Sequence, residues 1–80
     1  MNISIDISYY PLKEEFKNPI KNFIQRLEDN KEITIRRNTI STQIFGNYDI
    51  VMKIITKEIK KSFELPHSIF ILKIINSDLQ

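Results

Sequence analysis

From Asn2 to Tyr10 apolar and polar residues alternate, with Ile3, Ile5, Ile7 and Tyr9 on one parity and Asn2, Ser4, Asp6, Ser8 and Tyr10 on the other. A period of two predicts a half-buried strand, so a covering layer must come from later in the chain. Pro11 has no N–H for a ladder and restricts the residue before it, so the strand is expected to stop near Tyr10.

The periodicity then changes. After the connection "LKEEFK", Ile20, Phe23, Ile24 and Leu27 recur at helical spacing, with Lys21, Gln25 and Glu28 off the stripe. Asn18 reads as the N-cap and Pro19 as the first helical residue, and Asp29-Asn30 marks the end. "EITIRRN" alternates again, placing Ile33 and Ile35 together, and "TISTQIFGN" does the same through Ile40 and Ile44. Asn38-Thr39 is the expected turn between them. Gly46 is read as allowing a sharp exit, and Asn47 as capping a second helix with Asp49 in its first turn. The expected buried stripe of that helix is Val51, Met52, Ile55, Ile59 and Phe63. Leu65-Pro66 ends it, and "HSIFILKII" is a strand apolar on both parities.

Strand, helix, strand, strand, helix, strand is the split βαβ order. The predicted fold is α+β and ferredoxin-like, a βαββαβ arrangement with an antiparallel four-stranded sheet and two helices on one face. Eighty residues suit one domain, residues 1–80, and are too few for two cores. A chain this small is marginal alone. The sheet face away from the helices would expose Tyr10, Phe45 and one parity of the last strand, so a homo-dimer or homo-tetramer through that face or an edge strand is expected.

Composition narrows the chemistry. The chain has no cysteine, so thiolate metal sites, disulfides and cysteine nucleophiles are excluded. His67 is the single histidine and is read as a surface loop residue, and no metal site or cofactor is expected. One glycine is too few for a phosphate-cradling loop. Twelve basic residues are spread among ten acidic ones, a net charge of +2 with no concentrated footprint for nucleic acid. The apolar runs are too short to span a membrane, and "MNISIDIS" is not a signal peptide, so the cytoplasm is the expected compartment. Glu14-Glu15 and Glu28-Asp29 read as solvated charges, and no base stands beside Ser8, Ser41 or Thr42 to activate a hydroxyl.

The stretches "SYYPL" (Ser8 to Leu12), "STQIFG" (Ser41 to Gly46) and "NYDIVMKII" resemble the YkoF-like thiamine/hydroxymethylpyrimidine-binding family over nearly the whole chain. The resemblance implies a ferredoxin-like fold, assembly into dimers or tetramers, and non-catalytic binding of thiamine or its pyrimidine precursor. Positions carried over are Ser8, Tyr10-Pro11 and Thr42 to Gly46. Phe45 departs from the family, which often has an acidic residue before the glycine.

The residues fit such a ligand on chemical grounds too. An aminopyrimidine presents an amino donor and ring-nitrogen acceptors, which Ser8, Asn38, Ser41, Thr42 and Gln43 can match. Tyr10, Phe45 or Tyr48 offers a stacking surface, and Asp6 a carboxylate for thiamine's cation. The candidate ligand-binding set is therefore Ser8, Tyr10, Asn38, Ser41, Thr42 and Gln43. Strict alternation divides it, sending Thr42 with Ile40 and Ile44 toward the helices and Ser41, Gln43 and Phe45 away. One pocket can hold the set only at a bulge, a strand end or a subunit junction. The competing expectation is a protein-interaction or scaffold module of the same fold with no small-molecule ligand, and an acylphosphatase-like enzyme is more distant because "YPLKEEFKNP" lacks that family's arginine and glycines.

Overall fold

The computed structural model describes residues 1–80 and has the expected element order: β1 (Asn2–Pro11), α1 (Lys17–Glu28), β2 (Thr34–Arg37), β3 (Thr42–Asn47), α2 (Tyr48–Ser62) and β4 (Ser68–Ile75). The strands form one antiparallel sheet in the order β2-β3-β1-β4. This is the ferredoxin-like α+β fold.

The inner parity of β1, Ile3, Ile5, Ile7 and Tyr9, is buried against Phe23 and Leu27 of α1 and Val51, Ile54 and Ile55 of α2. Both helices therefore cover one sheet face. Each such side chain removed from water contributes roughly 2 kcal/mol, which is why the alternation of β1 fixes the layer order.

Local details differ from the sequence reading. Helix α1 begins two residues earlier than expected: Phe16, not Asn18, is the N-cap and contributes no side-chain cap. Instead the Asn18 N–H donates to the Glu15 carboxylate at 3.1 Å, and Pro19 falls within the first turn, where its missing N–H costs no bond. For α2 the reading holds, since the Asn47 side-chain oxygen accepts from the N–H groups of Asp49 (3.0 Å) and Ile50 (3.4 Å).

The buried stripe of α2 is Val51, Ile54, Ile55, Glu58 and Ser62, with Met52 and Ile59 only partly buried and Phe63 exposed beyond the helix end. The stripe is turned because Arg26 of α1 reaches across to it. Its Nε donates to Glu58 Oε1 (2.7 Å), and its Nη2 donates to the Glu58 carbonyl (3.1 Å) and Ser62 Oγ (2.8 Å). A helical moment weighted only by hydrophobicity cannot locate a charged residue that faces inward.

Gly46 has no positive φ and sits inside β3. Its role is close packing: a Cβ there would lie 3.0 Å from Val51 Cγ2 and 3.3 Å from Ile33 Cγ2. The glycine lets the start of α2 lie directly on β3.

On the outer face, Phe45 has the expected parity yet is only 4 % exposed. The chain after β4 turns back across this face. Ser4 Oγ donates to the Ser77 carbonyl (2.7 Å) and accepts from the Leu79 N–H (2.8 Å), while the Arg36 guanidinium lies 5.5 Å from the centre of the Phe45 ring. Phe45 is thus removed from the bare patch expected for it. The exposed apolar residues that remain are Tyr10 beside Ile69, Ile71 and Ile75 of β4.

Replacing Glu58 with Ala leaves the Arg26 guanidinium without its carboxylate at a mostly buried junction of the two helices. Urea denaturation of the E58A chain is expected to show a loss of about 3 kcal/mol, the scale for breaking one side of a buried pair; a loss under about 0.5 kcal/mol would mean that the pair does not join the helices.

Candidate functional site

β1 pairs with β4 as far as Pro11 but with β3 only as far as Ile7. From Ser8 onward one edge of β1 has no strand beside it. The space is bounded by the loop Asn38–Ser41, which links β2 to β3, and by the N-terminal half of α1. The result is a cleft of about 480 Å³ at the end of the sheet.

The loop accounts for the parity problem. Arg37 pairs with Thr42, so four residues rather than a two-residue turn close the hairpin, and the Asn38 N–H donates to the Ser41 carbonyl at 2.9 Å. Ile40 consequently leaves the strand and is 86 % exposed, contrary to the inward placement expected from alternation. Ser41 is likewise freed from strand parity and lines the cleft together with the buried Thr42.

Five of the six expected ligand residues meet here: Ser8, Tyr10, Asn38, Ser41 and Thr42. The Ser8 hydroxyl is only loosely held, donating to the Ile40 carbonyl over 3.4 Å. Gln43 lies apart. Its register partners are Asp6 and Arg36, and it borders a separate recess of about 380 Å³ on the outer face with Phe45, Lys73 and Leu79. Asp6 is in that recess as well, so the carboxylate considered for a cationic ligand is away from the cleft. Tyr48 begins α2 and its N–H donates to the Met1 carbonyl (2.9 Å), at the opposite end of β1.

Aromatic surface comes instead from residues the sequence reading did not select. Phe16, Tyr9 and Phe23 join Tyr10 in lining the cleft. Tyr9 stacks on Phe70 with ring centres 4.3 Å apart and meets Phe23 edge-on at 5.6 Å, and its hydroxyl lies 3.1 Å from Ser68 Oγ. These contacts fix the inner wall. The available signal was that Leu12 and Phe16 are the apolar positions of an otherwise charged connection, "LKEEFK".

No established protein family matches the sequence, and no curated protein does either. Solved structures do resemble it in fold. A protein from Streptococcus pneumoniae superposes with a TM-score of 0.89 at 20% identity, covering 99% of this chain and 90% of that one. A Thermotoga maritima protein, named provisionally for thiamine biosynthesis or salvage, gives 0.85 at 12% identity over 96% and 85% of the two chains. A domain of unknown function from Bacillus cereus gives 0.79 at 11% identity over 100% and 80%. At these identities the likeness is one of fold.

The loop is anchored from outside the cleft. Arg37, the last residue of β2, donates from Nε to Glu28 Oε2 (2.9 Å) and from Nη2 to Glu28 Oε1 (2.6 Å), tying the loop's base to the end of α1. Hydrogen bonds from Arg37 hold the Glu28 carboxyl below its ordinary range, desolvation opposes this, and the charges of Arg37 and Lys31 add to it. A carboxyl whose value is lowered on folding stabilises the fold above the ordinary range and loses that effect as pH falls through the lowered value. The difference in urea midpoint between the wild type and Glu28→Gln is therefore expected near pH 7 and to fade as pH drops below the ordinary carboxylate range through the lowered value. It also shrinks in high salt, because the pair is exposed; a difference that grew on acidification would contradict this anchoring.

Proposed function

We propose that this chain binds a small aminopyrimidine reversibly, thiamine or its hydroxymethylpyrimidine precursor, in the cleft at the end of β1, and performs no covalent chemistry on it. The observation that carries the reading is the meeting of Ser8, Asn38, Ser41 and Thr42 with the rings of Tyr10 and Phe16 around one cleft. Hydroxyls both donate and accept and a carboxamide does each with a different atom, so together they complement a ring that carries an amino group and acceptor nitrogens. The aromatic walls supply stacking area, which dominates the affinity of small flat ligands.

No carboxylate, imidazole or amine lines the cleft. General acid–base work on a bound ligand would need one within hydrogen-bond reach. Binding without turnover is the economical use of such a lining. The resemblance of "SYYPL" and "STQIFG" to the YkoF-like family and the name of the Thermotoga maritima neighbour point to the same ligand class. We place this binding in the cytoplasm; no helix is long and apolar enough to cross a membrane.

Calorimetric titration with thiamine and with the hydroxymethylpyrimidine is the test. Binding is expected for the wild type, with a roughly tenfold or greater loss in a Ser8→Ala/Thr42→Val chain, since two hydroxyl contacts at about 1 kcal/mol each are removed. No heat from the wild type at millimolar ligand would end the reading.

A specific observation also favours self-association. β4 is an edge strand, and Ile69, Ile71, Ile74 and Ile75 are all about half exposed, Ile71 at 55 %. A long apolar edge is a template for pairing with another strand, and a second copy of β4 supplies a matching one. We propose a homo-oligomer built on this strand. Light scattering should give a multiple of 9.5 kDa for the wild type and a smaller mass for Ile71→Lys; a wild-type monomer at micromolar concentration would count against it, as would an unchanged mass in the variant.

A further inference from the structure

We infer that Ile40 is the clamp of the cleft: the tip of the β2–β3 loop folds this side chain onto the bound ring and sets how fast the ligand leaves. The inference rests on the aminopyrimidine reading above and adds to it the residue that retains the ligand.

The mouth of the cleft is apolar although its floor is polar. Tyr10, Leu12, Phe16 and Ile40 all line it, and they come from separate segments: the end of β1, the connection to α1 and the β2–β3 loop. Tyr10, Leu12 and Phe16 are about half exposed, and Ile40 is the most exposed large apolar residue of the chain. One such side chain in water is ordinary. Several gathered around one concavity leave apolar area that an occupant would take out of water. A volume of about 480 Å³ and a floor of Ser8, Asn38, Ser41 and Thr42 suit a small ring with polar edges as that occupant.

The tip of the loop is free to move while its base is held. Arg37 pairs with Thr42 across the hairpin, and the Asn38 N–H donates to the Ser41 carbonyl. Only Thr39 and Ile40 lie between these fixed positions. Their one hydrogen bond is that from Ser8 Oγ to the Ile40 carbonyl, at 3.4 Å. A bond of that length is weak and readily given up. Ser8 is also one of the hydroxyls assigned to the ligand, so a ligand that engages it releases the tip. The released isoleucine then leaves water by covering the ring, together with Leu12 and Phe16.

The test is an NMR titration of the hydroxymethylpyrimidine into wild type, Ile40→Ser and Ile40→Leu, with affinity and dissociation rate read from the line shapes. Ile40→Ser is expected to bind roughly tenfold weaker, with the loss lying in faster dissociation, because the covering apolar area is gone. Ile40→Leu keeps that area and should restore most of the loss. Without ligand, the thermal midpoint of Ile40→Ser should match the wild type, since the side chain it shortens is 86 % exposed. Wild-type binding with unchanged dissociation in Ile40→Ser overturns the clamp while leaving aminopyrimidine binding in place, as does a ligand-free loss of stability. A lower mass for Ile40→Ser in light scattering would assign the tip to contact between copies and overturn it too. Failure of the wild type to bind overturns the parent reading and this inference together.

Discussion

β1 has strand partners on both edges from Ser4 to Ile7, and beyond Ile7 only β4 stays beside it. The same extended backbone thus serves two ends. Its first half anchors the core through Ile3, Ile5 and Ile7, which are almost wholly buried. Its second half runs past β3 and forms the floor of a cleft that neither helix fills. Pro11 pairs with Ser68 at the far end, where its missing N–H costs no interior ladder bond. The cleft follows from unequal pairing lengths, not from a cavity inside the core.

The loop Asn38–Ser41 is the second part of that geometry. It can wall the cleft because both its ends are fixed: the Arg37–Glu28 pair ties the base to α1, and Thr42 opens β3 opposite Ile7. Across the helices the Arg26–Glu58–Ser62 bonds hold α1 against α2. That junction sets where Phe23 stands, and Phe23 is both a core residue and part of the cleft wall. Cleft wall and core are therefore coupled through one helix.

Much of this was legible in the sequence because it depends on periodicity. The alternation of β1, the Ile20–Leu27 stripe, the Asn47 cap and the doubly apolar β4 each follow from local spacing and lead to the observed topology. What was not legible depends on tertiary context. Arg26 and Glu58 are charged residues on inward faces, which a hydrophobic stripe cannot reveal, so the spacing that correctly includes Val51 and Ile55 also extends the stripe of α2 to Phe63, which is exposed. Phe45 has outward parity, and only the returning segment at Ser77 and Leu79 covers it. At the site, the four-residue loop decided the matter. It freed Ser41 from alternation, sent Ile40 into solvent and let Ser41 and Thr42 share one cleft, while Gln43, still in the ladder, stayed on the outer face.

The recess around Gln43, Asp6 and Lys73 is the natural rival to the cleft, since it too combines polar groups with an aromatic ring. The two lie at different places on β1, so backbone amide shifts separate them directly. In a heteronuclear NMR titration with the hydroxymethylpyrimidine, amide perturbations are expected to concentrate at Ser8 to Tyr10, Leu12 and Asn38 to Thr42. Perturbations centred instead on Asp6, Gln43 and Lys73 would contradict it.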